Sequence, residues 1–148
     1  MKKNILRIVL ILGIVDGLGY AIMISRQNKV QLISIRDQQF KTEIVDTPSK
    51  MALGLGERDV LCEQCAMLFV FPEKKIYPFW MKGMRFPLDI IWWDSGDGRI
   101  VHIEKKIAPD SQAILTPGGE ADRVLEINAG LSDKYSIQEG DKIYIYEK

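Results

Sequence analysis

From Val30 onward, apolar residues come in short runs, several of them alternating with polar ones, separated by glycine, proline, aspartate and serine. The residues before Ser25 are different: apolar almost without interruption, behind a few basic side chains. Period-two alternation marks a strand with one face on a core, and an unbroken apolar run behind lysines marks a topogenic segment. The pattern divides the chain into 1–24, a signal anchor or signal peptide, 25–29, a polar linker, and 30–148, one β-rich domain.

Within the domain, Val30 to Ile35 reads as a first strand, and Phe40, Thr42 and Ile44 alternate as a second. Asp46-Thr47-Pro48 places a capping residue before a first-turn proline, which predicts a short helix from Pro48 to about Leu55, ended by Gly54 and Gly56. Further strands are expected at Met67 to Phe71, Tyr77 to Lys82, Leu88 to Trp93, Arg99 to Ile107 and Val124 to Ile127. Asp94-Ser95-Gly96-Asp97-Gly98 supplies a hairpin connection. Ala129 to Tyr135 predicts a helical turn, and Lys142 to Tyr146 a final strand introduced by Gly140-Asp141. The expected fold is mainly β (α+β): a compact, small barrel-like or sheet assembly with one or two short helices, preceded by an N-terminal membrane helix.

The N-terminal run extends from Ile8 to Ile24 behind Lys2, Lys3 and Arg7. Its 17 residues are just enough to cross a hydrocarbon core as a helix. Gly19-Tyr20-Ala21 offers a cleavage site, yet the run continues through Ile22, Met23 and Ile24, which favours an uncleaved anchor. Asp16 opposes insertion by roughly 3 kcal/mol, which the surrounding Ile, Leu and Val offset. Lysines ahead of the span put the N-terminus in the cytoplasm and the domain outside it. The expected location is therefore the cell membrane, single pass, with secretion after cleavage as the alternative.

Composition narrows the partners. The chain has 148 residues, 47% of them hydrophobic, which suffices for one core, and 20 basic residues balance 20 acidic ones. A net charge of zero offers no general attraction to phosphate backbones, so no nucleic acid is expected. No Gly-x-Ser-x-Gly turn and no phosphate-binding loop occurs, and Thr116-Pro117-Gly118-Gly119-Glu120 reads as a loop.

Five blocks occur in order: Asp46-Thr47-Pro48 with Gly54-Leu55, Met67 to Phe71, Phe79-Trp80-Met81-Lys82, Pro87 to Ile91, and Val124 to Gly130. Ending in Ile137, Gly140 and Asp141, this series resembles the family of domain of unknown function 192 (DUF192) from Phe40 to the C-terminus. The resemblance implies a small protein of a kind often exported or membrane-anchored, and it implies no established activity. Where that family usually has asparagine after the lysine of the aromatic block, this chain has Gly83, followed by Met84 in place of a small polar residue. Cys65-Ala66 replaces the family's usual glycine before its Met-Leu-Phe block.

Two constellations could carry chemistry. Phe79 to Trp93 embeds Lys82 and Asp89 among large apolar side chains, and buried charges normally have partners or a task. With Glu126 they predict either a salt-bridged structural cluster or a binding cleft walled by Phe79, Trp80 and Trp92 or Trp93, with Trp80, Lys82, Asp89 and Glu126 as binding residues. Lys82 would then take an anion or carbonyl, and Asp89 or Glu126 would act as base or hydrogen-bond acceptor. Structural pairing is the simpler outcome, and Asp89 could serve only to cap a turn after Pro87.

Cys62-Glu63-Gln64-Cys65 could form a local disulfide, stay an inert thiol pair or act in redox chemistry. Because Cys65 runs straight into an apolar strand instead of opening a helix, nothing there depresses a thiol pKa. The two cysteines and the single histidine, His102, fall short of four zinc ligands, so neither a metal nor a cofactor is expected. His102 alternates with Val101 and Ile103, which places it on the solvent face.

The first reading is a membrane-tethered extracytoplasmic accessory module that binds a small ligand or an envelope protein. The alternatives are an envelope hydrolase or transferase using Asp89 or Glu126 with Lys82, and a redox protein using Cys62 and Cys65. A raised carboxylate pKa in a ligand-sized cavity would mark the enzyme, and mutual salt bridges without a cavity would mark a structural cluster.

Overall fold

The computed structural model describes residues 29–146. The expected anchor or signal at 1–24 lies outside the described residues, and among these no helix is long and apolar enough to cross a membrane. The order of elements is β1 (Lys29–Ile35), β2 (Gln38–Val45), α1 (Pro48–Leu53), β3 (Cys65–Lys75), β4 (Leu88–Asp94), β5 (Arg99–Ile107), β6 (Ala121–Asn128), α2 (Leu131–Lys134) and β7 (Ile143–Tyr146). The domain is mainly β with two short helices.

The strands form one seven-stranded sheet in the order β5-β4-β6-β3-β2-β1-β7. Neighbours are antiparallel except β2 and β3, which run parallel. Parallel neighbours cannot be joined by a tight hairpin, and here α1 with the loop after it makes the crossover. The sheet curls into a half-barrel whose two edges meet at one end. Arg99 bridges Lys142, the Ile100 amide donates to the Asp141 carbonyl at 2.9 Å, and the Ile143 amide donates to the Gly98 carbonyl at 2.8 Å. Asp141 pins this seam by accepting from the Arg36 guanidinium at 2.7 and 3.1 Å and from the Gln138 amide at 2.8 Å.

Alternation gives the sheet two apolar faces. Ile33, Ile35, Phe40, Leu68, Ile91, Trp93, Leu125 and Ile127 pack on one. Met67, Phe69, Ile90, Trp92 and Val124 pack on the other, covered by Leu55 and Leu61 after α1 and by Met81 of the β3–β4 connection. The two tryptophans are neighbours in sequence and fully buried in different clusters.

Two expectations need correction. No strand forms at Tyr77 to Lys82: β3 continues past a register shift to Lys75, and the chain from 76 to 87 is irregular, held by one bridge between Phe79 and Leu115. Its side chains do alternate, with Phe79 and Met81 turned inward and Trp80 and Lys82 outward. However, β3 is already flanked by β2 and β6, and Pro78 has no amide to donate. Helix α1 also stops at Leu53 instead of Leu55, because Gly54 takes φ 52° and its amide closes the helix on the Lys50 carbonyl.

Candidate functional site

The register places Glu126. Across the second apolar face, Glu43 of β2 pairs with Met67 of β3, Met67 with Glu126 of β6, Glu126 with Ile90 of β4, and Ile90 with Glu104 of β5. Partners in register share a face, so three glutamates stand in one row across the sheet. Glu43 holds Arg58 in a two-pronged ion pair at 2.7 and 2.8 Å, and Glu104 holds His102 at 3.2 Å. Glu126 is 5% exposed, and its Oε2 is buried without a hydrogen-bond partner. Burial pushes its carboxyl up to about 8, opposed only in part by the positive charge of Arg58.

An open cavity of about 290 Å³ adjoins this residue. Met51, Leu53, Gly54 and Leu55 wall one side, Phe69 and Phe71 of β3 with Glu126 form the sheet side, and Phe79, Trp80, Lys82 and Met84 close the other. Gly54 is required here, since a Cβ would meet Phe69 Cζ at 3.3 Å from a backbone already in the left-handed region. Phe79 is fixed edge-on between Phe69, at 5.0 Å between centroids, and Trp92, at 5.7 Å. The Trp92 indole donates to the Tyr77 carbonyl at 2.8 Å, which ties the irregular segment to β4. Trp80 is 63% exposed at the mouth. Of the cavity's lining residues only Lys82 and Glu126 are ionisable.

Three of the four predicted binding residues, Trp80, Lys82 and Glu126, thus line one cavity. Asp89 does not. It sits at an odd position of β4, on the opposite face from Ile90 and Glu126, and is wholly buried. Its Oδ1 accepts from the Lys106 and Gly130 amides at 2.7 and 3.0 Å, and its Oδ2 accepts from the Ser132 amide at 2.8 Å. It organises the start of α2 and the end of β5. The expected salt-bridged cluster of Lys82, Asp89 and Glu126 is absent among the described residues, and neither Trp92 nor Trp93 lines the cavity. Arg58, whose positive charge offsets part of the effect of burial at Glu126, comes from a loop with no periodic pattern that would single it out in the sequence.

Cys62 and Cys65 form a disulfide in the turn that opens β3. The Cys65 amide donates to the Cys62 carbonyl, and the Asn128 side chain donates to the carbonyls of Leu61 and Cys62 at 3.1 and 2.9 Å. The pair is not in the cavity lining and precedes no helix. His102, expected on the solvent face, is instead half-buried, with its ring 5.6 Å from that of Trp92 and its nitrogens at Glu104 and Glu139. Among the described residues, no three His, Cys, Asp or Glu side chains converge as metal ligands.

Comparison with known proteins places this geometry. The profile of the DUF192 family, described as uncharacterised ACR, matches residues 31–145. A Sinorhizobium meliloti 1021 protein of known crystal structure, provisionally described as a transcription regulator, is 28% identical with a TM-score of 0.77, over 80% of this chain and 95% of that one. A protein of unknown function from Novosphingobium aromaticivorans DSM 12444 is 28% identical with a TM-score of 0.73, over 85% of this chain and 91% of that one. No curated protein matches the chain at a significant level.

Proposed function

The chain belongs to the DUF192 family, and from that premise and the cavity at Glu126 we propose a membrane-tethered extracytoplasmic module that binds a small, largely apolar ligand. One observation carries the reading: a carboxyl that is 5% exposed, with an oxygen left unpartnered, stands in the wall of an open cavity. A buried polar atom without a partner costs free energy, which a ligand group that bonds to it recovers. The cavity is at the small end of the range for ligand sites and its walls are mostly apolar and aromatic, as such sites require. The tether rests on the lysine-led apolar run at 1–24.

The regulator description of the Sinorhizobium protein is not carried over as DNA binding, because 20 basic and 20 acidic residues give this chain no general attraction to phosphates. A second reading has a specific observation behind it. A glutamic acid with a pKa of about 8 in a cavity that a lysine also lines suits a general acid in a hydrolase or transferase. Binding is preferred because no serine, cysteine or histidine lines the cavity to serve as nucleophile or relay.

The test is a fragment screen of the full chain by nuclear magnetic resonance, with the indole of Trp80 as reporter. Small apolar compounds should perturb that resonance and lose the effect in Trp80→Ala. A screen in which none perturbs it overturns the binding reading, and chemical turnover of a bound compound that is abolished in Glu126→Gln favours the enzyme.

A further inference from the structure

The cavity's charges identify the class of ligand, an inference that rests on the binding reading above. Lys82 lines the cavity and also a neighbouring hollow with Gln112 and Ile114, and it is exposed. Among the described residues it makes no ion pair, whereas the nearby cations are matched: Arg58 by Glu43, Arg85 by Asp59 and Lys50 by Asp46. The other ionisable lining residue, Glu126, is buried in apolar surroundings that disfavour its charged form. Among the residues that line the cavity, the uncompensated charge is therefore one positive charge, that of Lys82.

We infer that the cavity takes a small, largely apolar carboxylate, its charge met by Lys82 and its body packed against Phe69, Phe79 and Trp80. An organic ammonium, which aromatic walls could otherwise accept, meets the wrong sign at the entrance. Glu126 acts as a neutral hydrogen-bond donor toward the ligand below its own pKa of about 8, and as a repelling carboxylate above it. The groups around it do not reverse this. Arg58 from the loop after α1 is already bound to Glu43 of β2, Glu104 of β5 stands beyond Ile90 in the same row, and β3 and β4 present Met67 and Ile90. Lys82 is the cation left to act on the ligand.

The experiment uses three probes of one shape and three charges on the full chain: 3-phenylpropanoate, 3-phenylpropanamide and 3-phenylpropylamine, titrated by calorimetry with the Trp80 resonance followed in parallel. At pH 7 the propanoate should bind at least about tenfold more tightly than the amine. Lys82→Met, an exposed substitution that leaves the fold alone, should remove that preference while leaving the amide's affinity within about twofold. Between pH 7 and 9 the propanoate should weaken several-fold in the parent chain and hold constant in Glu126→Gln. Preference for the amine, or equal binding of all three, overturns the carboxylate class and leaves the cavity reading standing. No binding by any of the three also overturns the class, and together with a silent fragment screen it removes the cavity reading as well.

Discussion

Glu126 makes an unusual contribution to stability for an acid. Its carboxyl has a pKa of about 8 in the folded domain against 4.5 when free, so the folded state holds the proton more tightly than the unfolded state does. Stability from this group is complete below about pH 4.5 and is lost as the pH rises through about 8. Glu126→Gln, which keeps a neutral polar group of the same shape, should flatten that loss and raise the urea midpoint at pH 9 while leaving the midpoint at pH 5 nearly unchanged. Asp89 is the opposite case, a charge with all its work inside the fold. Asp89→Ala leaves three amides without their acceptor, that of the buried Ser132 among them, and should cost about 3 kcal/mol in urea unfolding. Both carboxylates could be picked out as embedded polar residues, but their separation onto opposite faces depends on strand register, which no single strand encodes. Gly83 is explained at this scale too: its φ of 79° is the left-handed conformation that asparagine, the residue usual at that place in the family, tolerates best after glycine. The departure preserves a turn.

At the scale of elements, the runs that became strands were legible wherever apolar alternation coincided with a free neighbour in the sheet. Tyr77 to Lys82 shows what alternation alone leaves out. The inward and outward pattern is kept, but the ladder positions beside β3 belong to β2 and β6, so the segment folds over the sheet face and becomes a wall of the cavity. The same displacement brings Trp80 and Lys82 to the mouth, which strand 77–82 could not have done from within the sheet. The disulfide at the start of β3 closes a loop of only a few residues. Cys62→Ser with Cys65→Ser should therefore cost no more than about 2 kcal/mol by thermal unfolding, and it should leave probe binding in the cavity intact. A loss of binding in that variant would assign the pair a part in the site.

At the scale of the whole molecule, the fold class was readable from many short strands and few helices, and the closure was not, because Arg99 and Lys142 meet across 43 residues with no shared motif. The N-terminal expectation belongs to this scale as well. If residues 1–24 tether the domain outside the cytoplasm, the chain should resist extraction from membranes at alkaline pH, and protease added to intact spheroplasts should digest the domain. Recovery in the soluble cytoplasmic fraction overturns the tether. The strand order also makes one edge of the sheet depend on the last strand. The final strand, β7, covers β1, and the seam to β5 is made by residues 140 to 143. Before β7 docks, β2, β3, β6 and β4 can pair, yet the outer edge of β1 stays bare. Docking of β7, and not the pairing of any earlier strand, is the event that shields this edge from other chains.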